Sequence, residues 1–158
     1  LPFSVPRSVG QSPLYYNKKA PQSHDYVEMS ASPLYPFGYG LSYTSFDYSD
    51  LHLSALMPRS FEISFKVRNT GKYDGEEVAQ LYLRDEYASV VQPLKQLKHF
   101  ARFYLKRGEE REVKFILSEE DFSLVDRNLK KIVEPGTFQI MIGAASNDIR
   151  LQTKVEIK

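Results

Sequence analysis

The sequence predicts an all-β fold: an antiparallel β-sandwich of about seven strands, preceded by an extended arm rich in proline and aromatic residues. Three observations support this prediction. Apolar and polar residues alternate in several segments after residue 50, turn residues separate those segments, and helical periodicity is missing throughout. Six of the nine prolines stand within the first 36 residues, where they favour extended backbone and remove hydrogen-bond donors.

The predicted strands begin near residues 50–56 and continue with the segment SFEISFKVRN. Every second side chain of that segment is apolar and faces one side of a strand, namely Phe61, Ile63, Phe65 and Val67. The segment NTGKYDG supplies a turn in which Gly71 and Gly75 are free to take positive φ. The return strand EEVAQLYLRD is apolar on more than one side, which indicates a central position in its sheet.

Four further strands complete the predicted sandwich: LKHFARFYLKR, EREVKFIL, TFQIMIGA and RLQTKVEIK. The middle two have apolar residues at every second position, namely Val113, Phe115 and Leu117, then Phe138, Ile140 and Ile142. Turns are expected around Gly108 and at EPG. Ser118 precedes three acids, as a helix N-cap does, so one short helical turn is expected there. Such a series of short strands is typical of an immunoglobulin-like or fibronectin type III-like sandwich of ~100 residues.

The composition excludes several classes of protein. With 158 residues the chain suits one domain, or one domain and part of a neighbour. A net charge of +1 with scattered basic residues gives no electrostatic field strong enough to attract nucleic acid or an anionic membrane. No apolar run approaches the ~20 residues that a membrane helix needs. The chain has no cysteine, and His24, His52 and His99 have no metal-ligand spacing, so we expect no metal and no cofactor.

No group of residues predicts catalysis by this chain alone. Catalysis by a pair of carboxyl groups needs both groups close together, on opposite sides of the reacting bond. Glu76 and Glu77 are adjacent in a predicted strand, so their side chains point to opposite faces and form no such pair. His24 and Asp25 are the single local pair suited to acid–base work, and we interpret them as part of an exposed loop at 22–32. We expect no catalytic residue.

The segment PLYPFGYGLSYTSFDYS, residues 33–49, stands where the composition changes and combines aromatic residues with glycine and proline. Three interpretations compete. Its rings could stack on a sugar, pack between this sandwich and a preceding domain, or pack under the sandwich itself. Its position favours a junction between domains, where the glycines permit close backbone approach. The expected junction residues are Pro36, Phe37, Gly38, Tyr39, Gly40, Tyr43 and Phe46.

A resemblance to a known family rests on four segments: PLYPFGYGLSYTSFDYS, VRNTGKYDGEEVAQLYLRD, ASVVQPLKQLKHFARFYLKRGEE and VEPGTFQIMIGAAS. In this order they are similar to the C-terminal end of the family 3 glycoside hydrolases, which include β-glucosidases and β-xylosidases. The opening LPFSVPRSVGQSPLYYN resembles the stretch that ends the family's α/β sandwich domain. The resemblance implies that residues 1–48 are the tail of that domain with a linker, and that residues 49–158 are a fibronectin type III-like domain.

The resemblance also implies a function. In that family a barrel carries the Asp nucleophile and the α/β sandwich domain usually supplies the acid/base Glu; no residue here matches either motif. We therefore expect a non-catalytic accessory region whose partners are the preceding barrel and α/β sandwich domains. The parent would be a retaining enzyme, periplasmic or secreted, that releases terminal β-linked glucose or xylose. The alternatives are a carbohydrate-binding module and a plain protein-interaction module.

The N-terminal arm, residues 1–35, has three expected arrangements. The chain starts at Leu1 and shows no signal peptide, so we expect a fragment or a processed product. Its arm would then fold back on the sandwich, pair with a second chain, or stay partly disordered. Exchange of arms between two chains would allow self-association.

Overall fold

The structure, a computed structural model, describes residues 1–19 and 30–158. Most of the expected loop at 22–32, including His24 and Asp25, therefore lies outside the described residues. Among the residues that are described, no helix is long and apolar enough to cross a membrane. Two short 3₁₀ helices are present there, Val9–Gln11 and Glu119–Phe122.

Nine strands in the described part of the chain build an antiparallel sandwich, which confirms the predicted all-β fold. They are β1 (Phe46–Met57), β2 (Ser60–Asn69), β3 (Gly75–Asp85), β4 (Gln96–Leu105), β5 (Glu110–Leu117), β6 (Leu124–Val125), β7 (Lys131–Ile132), β8 (Gly136–Ala145) and β9 (Asp148–Ile157). One layer has the order β1-β2-β5 and the other β4-β3-β8-β9, while β6 and β7 form a small separate pair. The two layers account for the seven strands expected from the sequence, although the first begins at Phe46 rather than near residue 50.

The hydrophobic core lies between the two layers and is built from the alternating residues that the sequence predicts. Within the first layer Ile63 lies beside Phe115, and Phe65 beside Val113. The predicted inward positions of β5 and β8 are all buried, namely Val113, Phe115, Leu117, Phe138, Ile140 and Ile142. Full burial of each such side chain contributes roughly 1.5–3 kcal/mol. Burial of the side chains at these alternate positions is therefore the main stabilising contribution that can be predicted from the sequence.

Strand β3 is buried on both faces, which explains why its sequence is apolar on more than one side. Ala79 and Leu81 face the core, whereas Tyr82, also 0% exposed, lies outside the core cluster, on the other face of the sheet. The N-terminal arm covers that outer face, because the Tyr16 ring packs edge-on to Tyr82 at 6.2 Å and stacks on Phe37 at 4.0 Å. The described part of the arm thus lies against its own sandwich, the first of the three expected arrangements.

The turn between β2 and β3 differs from the prediction. Neither Gly71 nor Gly75 takes positive φ; among the described glycines, Gly38 and Gly108 do so, at +83° and +78°. Gly71 is required for space rather than for its φ angle. A Cβ there would lie 2.1 Å from Thr44 Oγ1, so any larger residue would push the neighbouring segment away.

The helical turn expected after Ser118 is confirmed as the 3₁₀ helix Glu119–Phe122. Ser118 and Asp121 form a capping box, in which the Ser118 N–H donates to Asp121 Oδ2 at 2.9 Å. The turn carries Phe122 into the core, where it is 2% exposed and packs edge-on against Phe138.

Candidate interdomain surface

Residues 38–44, which we call the arch, cross the first part of β3 and connect the arm to the sandwich. One end of the arch is at Gly38, bonded to Gln80 of β3, and the other is at Thr44, bonded to Asn69 at the end of β2. Between these ends the arch passes over the start of β3, since a Cβ on Gly75 would lie 2.7 Å from Thr44 Cγ2. The arch lies within the segment that the sequence predicts to be a junction.

The first end of the arch depends on the buried Gln80 side chain, which is 3% exposed. Its Nε2 donates to the carbonyls of Gly38 at 3.3 Å and Ala144 at 2.5 Å, and its Oε1 accepts a hydrogen bond from the Tyr82 hydroxyl at 2.6 Å. A Cβ on Gly38 would lie 2.2 Å from Gln80 Oε1. Gly38 is therefore needed both for its positive φ and for this close approach.

The second end of the arch depends on Asn69, which is fully buried. Its Oδ1 accepts hydrogen bonds from Thr44 Oγ1 at 2.6 Å and from the Gly71 N–H at 3.1 Å. Its Nδ2 donates to the carbonyls of Tyr73 at 2.8 Å and Leu105 at 3.1 Å. All four hydrogen-bonding positions of the amide are thus used, and one side chain joins the arch, the β2–β3 turn and the end of β4.

The middle of the arch exposes two large apolar side chains. Leu41 is 88% exposed and Tyr43 is 97% exposed. The other predicted junction residues are covered to different degrees: Pro36 and Phe46 are buried, Phe37, Gly38 and Tyr39 are half-buried, and Gly40 is exposed. The rings of Phe37 and Phe46 point into different places, one against Tyr16 of the arm and the other into the sandwich core. The arch is therefore held by hydrogen bonds at both ends and exposed to solvent in the middle.

An open groove of about 1660 Å³ lies beside the arch. Its walls come from the arch, the first residues of β1 and β3, the side chains of β4 and the hairpin between β8 and β9, and they include Leu1 and Pro2. Seven charged side chains line it: Asp47, Asp74, Glu76, Glu77, Asp148, Arg102 and Arg150. Each arginine is already paired inside the groove, Arg102 with Glu76 and Arg150 with Asp148.

Tyr48 and Glu77 are two half-buried residues of the groove wall. Tyr48 stacks on the core ring of Phe65 at 5.9 Å, and the Arg150 guanidinium lies 4.9 Å from the Tyr48 ring. The Tyr48 hydroxyl is buried and has no hydrogen-bond partner among the described residues. Burial, and then the nearby Glu77 carboxylate, raise the pKa of Tyr48. Burial also raises the pKa of Glu77, although a hydrogen bond from the Val78 N–H at 2.8 Å opposes this.

Replacing Glu77 with glutamine is expected to stabilise the isolated chain at neutral pH. The raised pKa means that folding favours the protonated carboxyl, so its stabilising contribution is present below the unfolded-state pKa and is lost as the pH rises through the folded-state pKa. Arg150 lowers the pKa of Glu77 and Asp148 raises it, both less than burial does. The glutamine amide does not ionise and keeps an acceptor for the Val78 N–H. The gain should be largest near pH 7 and vanish below about pH 4.

Urea unfolding midpoints between about pH 4 and about pH 8 measure this effect. Glu156→Gln, on an exposed position of β9 outside the groove, is the matched control and should change little. A gain for Glu77→Gln that grows toward acid pH would contradict the assignment.

Sequence reasoning did not name Gln80 and Asn69, the two side chains that hold the arch. A signal for both exists: Asn69 continues the inward alternation of β2, and Gln80 is a polar residue inside an apolar strand. The expected separation of Glu76 and Glu77 is confirmed, since Glu76 is exposed and bound to Arg102 while Glu77 is half-buried. Within the described residues, no group of three or more histidines and acids is placed to hold a metal ion.

The chain is similar to known proteins over nearly its whole length. A model of the family described as "Fibronectin type III-like domain" matches residues 77–146. A β-xylosidase of Formosa agariphila is 43% identical over 97% of this chain, and a periplasmic β-glucosidase of Salmonella typhimurium is 42% identical over 95% of it. The chain spans 22% and 21% of the length of those two relatives.

Solved structures of β-glucosidases contain the same fold. A β-glucosidase of Erythrobacter marinus covers 98% of this chain with a TM-score of 0.91 and 39% identity. The β-glucosidase of Listeria innocua in complex with glucose covers 99% of it, with a TM-score of 0.88 and 35% identity. The chain corresponds to 21% and 24% of those chains, so the likeness includes the arm and the arch but only a fraction of each enzyme. The chain therefore belongs to the family 3 glycoside hydrolases, as the fibronectin type III-like region found toward their C-terminal end.

Proposed function

We propose that this region is a non-catalytic structural part of a β-glycoside hydrolase and that its arch and groove hold it against the preceding catalytic part. The parent enzyme would release terminal β-linked glucose or xylose, as the names of the relatives suggest. Residues 1–48 are assigned to the tail of the preceding domain with its linker, and residues 49–158 to the sandwich. Strand β1 starts at Phe46, so its first residues belong to both the linker and the sandwich.

The observation that carries this proposal is the contrast along the arch. Both ends are fixed by buried amide side chains, whereas Leu41 and Tyr43 in the middle are almost fully exposed. Phe100, on β4, adds a third exposed apolar side chain to the same groove and is 67% exposed. Large apolar side chains that are exposed together in one groove are typical of interaction sites in soluble proteins. A fixed support for an uncovered apolar surface is what a domain junction requires.

Three of the five acids that line the groove have structural roles that fit a non-catalytic region. Glu76 is bound to Arg102, and Asp148 to Arg150. Asp74 accepts hydrogen bonds from the Arg107 N–H at 2.7 Å and the Tyr104 hydroxyl at 2.9 Å, and these bonds lower its pKa. A retaining hydrolase needs one carboxyl of raised pKa as acid and a second, ionised one as nucleophile across the same bond. In the proposal the preceding part of the enzyme supplies that pair.

The second candidate function is a carbohydrate-binding module, because Tyr43 and Phe100 expose aromatic rings on the groove. Calorimetric titration of the isolated chain with short β-glucan and xylan oligosaccharides separates the two candidates. The structural proposal predicts heats equal to those of dilution for every sugar. Saturable binding in the micromolar to low-millimolar range that is lost in Tyr43→Ala, and kept in a Tyr15→Ala control outside the groove, would overturn it.

A further inference from the structure

We propose that the segment that docks in the groove is basic as well as apolar, and that it directs a lysine or arginine side chain at Glu77. The inference rests on the proposed function, since the segment belongs to the part of the enzyme that precedes this chain. It adds the chemistry of the contact, which neither the fold nor the comparisons assign.

The first argument is the charge of the groove. Five acidic and two basic side chains line it, and the two arginines are used by Glu76 and Asp148. Asp47, Asp74 and Glu77 form no salt bridge with another of the described residues, and of these three Asp74 is held by hydrogen bonds from the Arg107 N–H and the Tyr104 hydroxyl. The chain as a whole has a net charge of +1, so this negative charge is local to the groove. Interfaces that are complementary in charge favour a positive partner here.

The second argument is the position of Glu77. Its carboxylate is half-buried even in the open groove, one oxygen is occupied by the Val78 N–H, and burial raises its pKa. A segment that fills the groove would remove the remaining water from this side chain. An unpaired carboxylate in such a place is strongly unfavourable, whereas a cation with a direct hydrogen bond offsets that cost. An uncharged occupant would therefore bind against a penalty that a basic one avoids.

The third argument identifies the occupant. Leu1 and Pro2 line the groove, so residues that precede Leu1 in a longer protein depart from it directly. The relatives are about five times as long as this chain, which leaves most of each enzyme to supply a docking segment. Leu41, Tyr43 and Phe100 offer that segment apolar contacts. Three cations belong to residues that line the groove: Arg102 is paired with Glu76, Arg150 is paired with Asp148, and the Leu1 ammonium donates to the Tyr39 carbonyl at 2.7 Å. None of them forms a salt bridge with Glu77, although Arg150 lies near enough to lower its pKa.

The test compares Glu77→Gln in two contexts: this chain alone and the full-length enzyme. In the isolated chain the substitution should raise the unfolding midpoint, as argued above. In the full-length enzyme it should do the opposite and lower the midpoint of the transition that includes this region, by about 3 °C. Asp47→Asn removes a second negative charge inside the groove. Glu156→Gln removes one outside the groove and is the control.

A higher unfolding midpoint for Glu77→Gln in both contexts, with no change for Asp47→Asn, would contradict the proposal that the docked segment is basic. The double variant Leu41→Ala/Tyr43→Ala decides separately on the proposed function. If it lowers the unfolding midpoint of the full-length enzyme and does not change that of the isolated chain, the proposed junction is supported, whatever the charge variants show. If it has no effect in either context, the junction itself fails.

Discussion

Replacing Asn69 with leucine is expected to lower the free energy of unfolding by about 3 kcal/mol. Leucine has a similar size but removes four hydrogen bonds, those to the Thr44 hydroxyl, the Gly71 N–H and the carbonyls of Tyr73 and Leu105. Of these groups the Gly71 N–H keeps a second acceptor, the Ser45 carbonyl at 3.2 Å. Buried polar groups without partners cost about 1–3 kcal/mol each, and part of the total is recovered because Thr44 and Tyr73 lie close enough to the surface to reach water. The loss would separate the arch, the β2–β3 turn and the end of β4 at once.

Urea unfolding at neutral pH measures this loss through the change in midpoint at constant slope. Asn17→Leu is the matched control, since Asn17 is exposed and a surface substitution of this kind changes stability by about 0.5 kcal/mol or less. Thr44→Val removes only one of the four bonds and should cost about 1 kcal/mol. A loss below 1 kcal/mol for Asn69→Leu would show that its hydrogen bonds do not hold the arch.

Replacing Gln80 with leucine is expected to cost about 2 kcal/mol and to release the first end of the arch. Leucine cannot donate to the carbonyls of Gly38 and Ala144, and it offers no acceptor to the buried Tyr82 hydroxyl. Tyr82 is fully buried between β3 and the arm, so its hydroxyl has no water to replace Gln80. We expect faster cleavage of the arch by proteases in addition to the lower midpoint.

Gln139→Leu is the control for this second substitution. Gln139 is half-buried on β8, and among the described residues its side chain bonds only to Gln152 on the neighbouring strand. Its removal should therefore cost well under 1 kcal/mol. Equal losses for Gln80→Leu and Gln139→Leu, with no change in the rate of arch cleavage, would contradict the role assigned to Gln80.

The strands were predictable because one physical signal dominates them. In β2, β5 and β8 every second residue is apolar, and burial of these residues decides both the strand and its inward face. The apolar second face of β3 also predicted its central place, although the sequence did not show that the arm covers Tyr82. The family resemblance, and not periodicity, suggested the role of the arm as the tail of a preceding domain.

The arch was predictable as a segment but not as a structure. Its composition suggested a junction between domains, yet contacts between distant residues decide which of its side chains are covered. Phe46 and Tyr43 belong to one motif, but Phe46 enters the core as the first residue of β1 and Tyr43 is left outside. The role of Gly71 shows the same limit. Its turn-like sequence suggested a positive φ, whereas the closeness of Thr44, 27 residues earlier, explains the glycine.

The measurement that tests the account most directly is amide hydrogen exchange at residues 40–43, in the isolated chain and in the full-length enzyme. If the arch is a domain junction, these amides exchange rapidly in the chain alone, where Leu41 and Tyr43 are exposed, and are strongly protected in the full-length enzyme. The amides of Gly108 and Glu109, at the turn between β4 and β5, donate to the carbonyls of Asn69 and Lys106; they serve as the internal reference and should exchange alike in both. Rapid exchange of residues 40–43 in both proteins would contradict the junction and leave the arch without a partner in the enzyme.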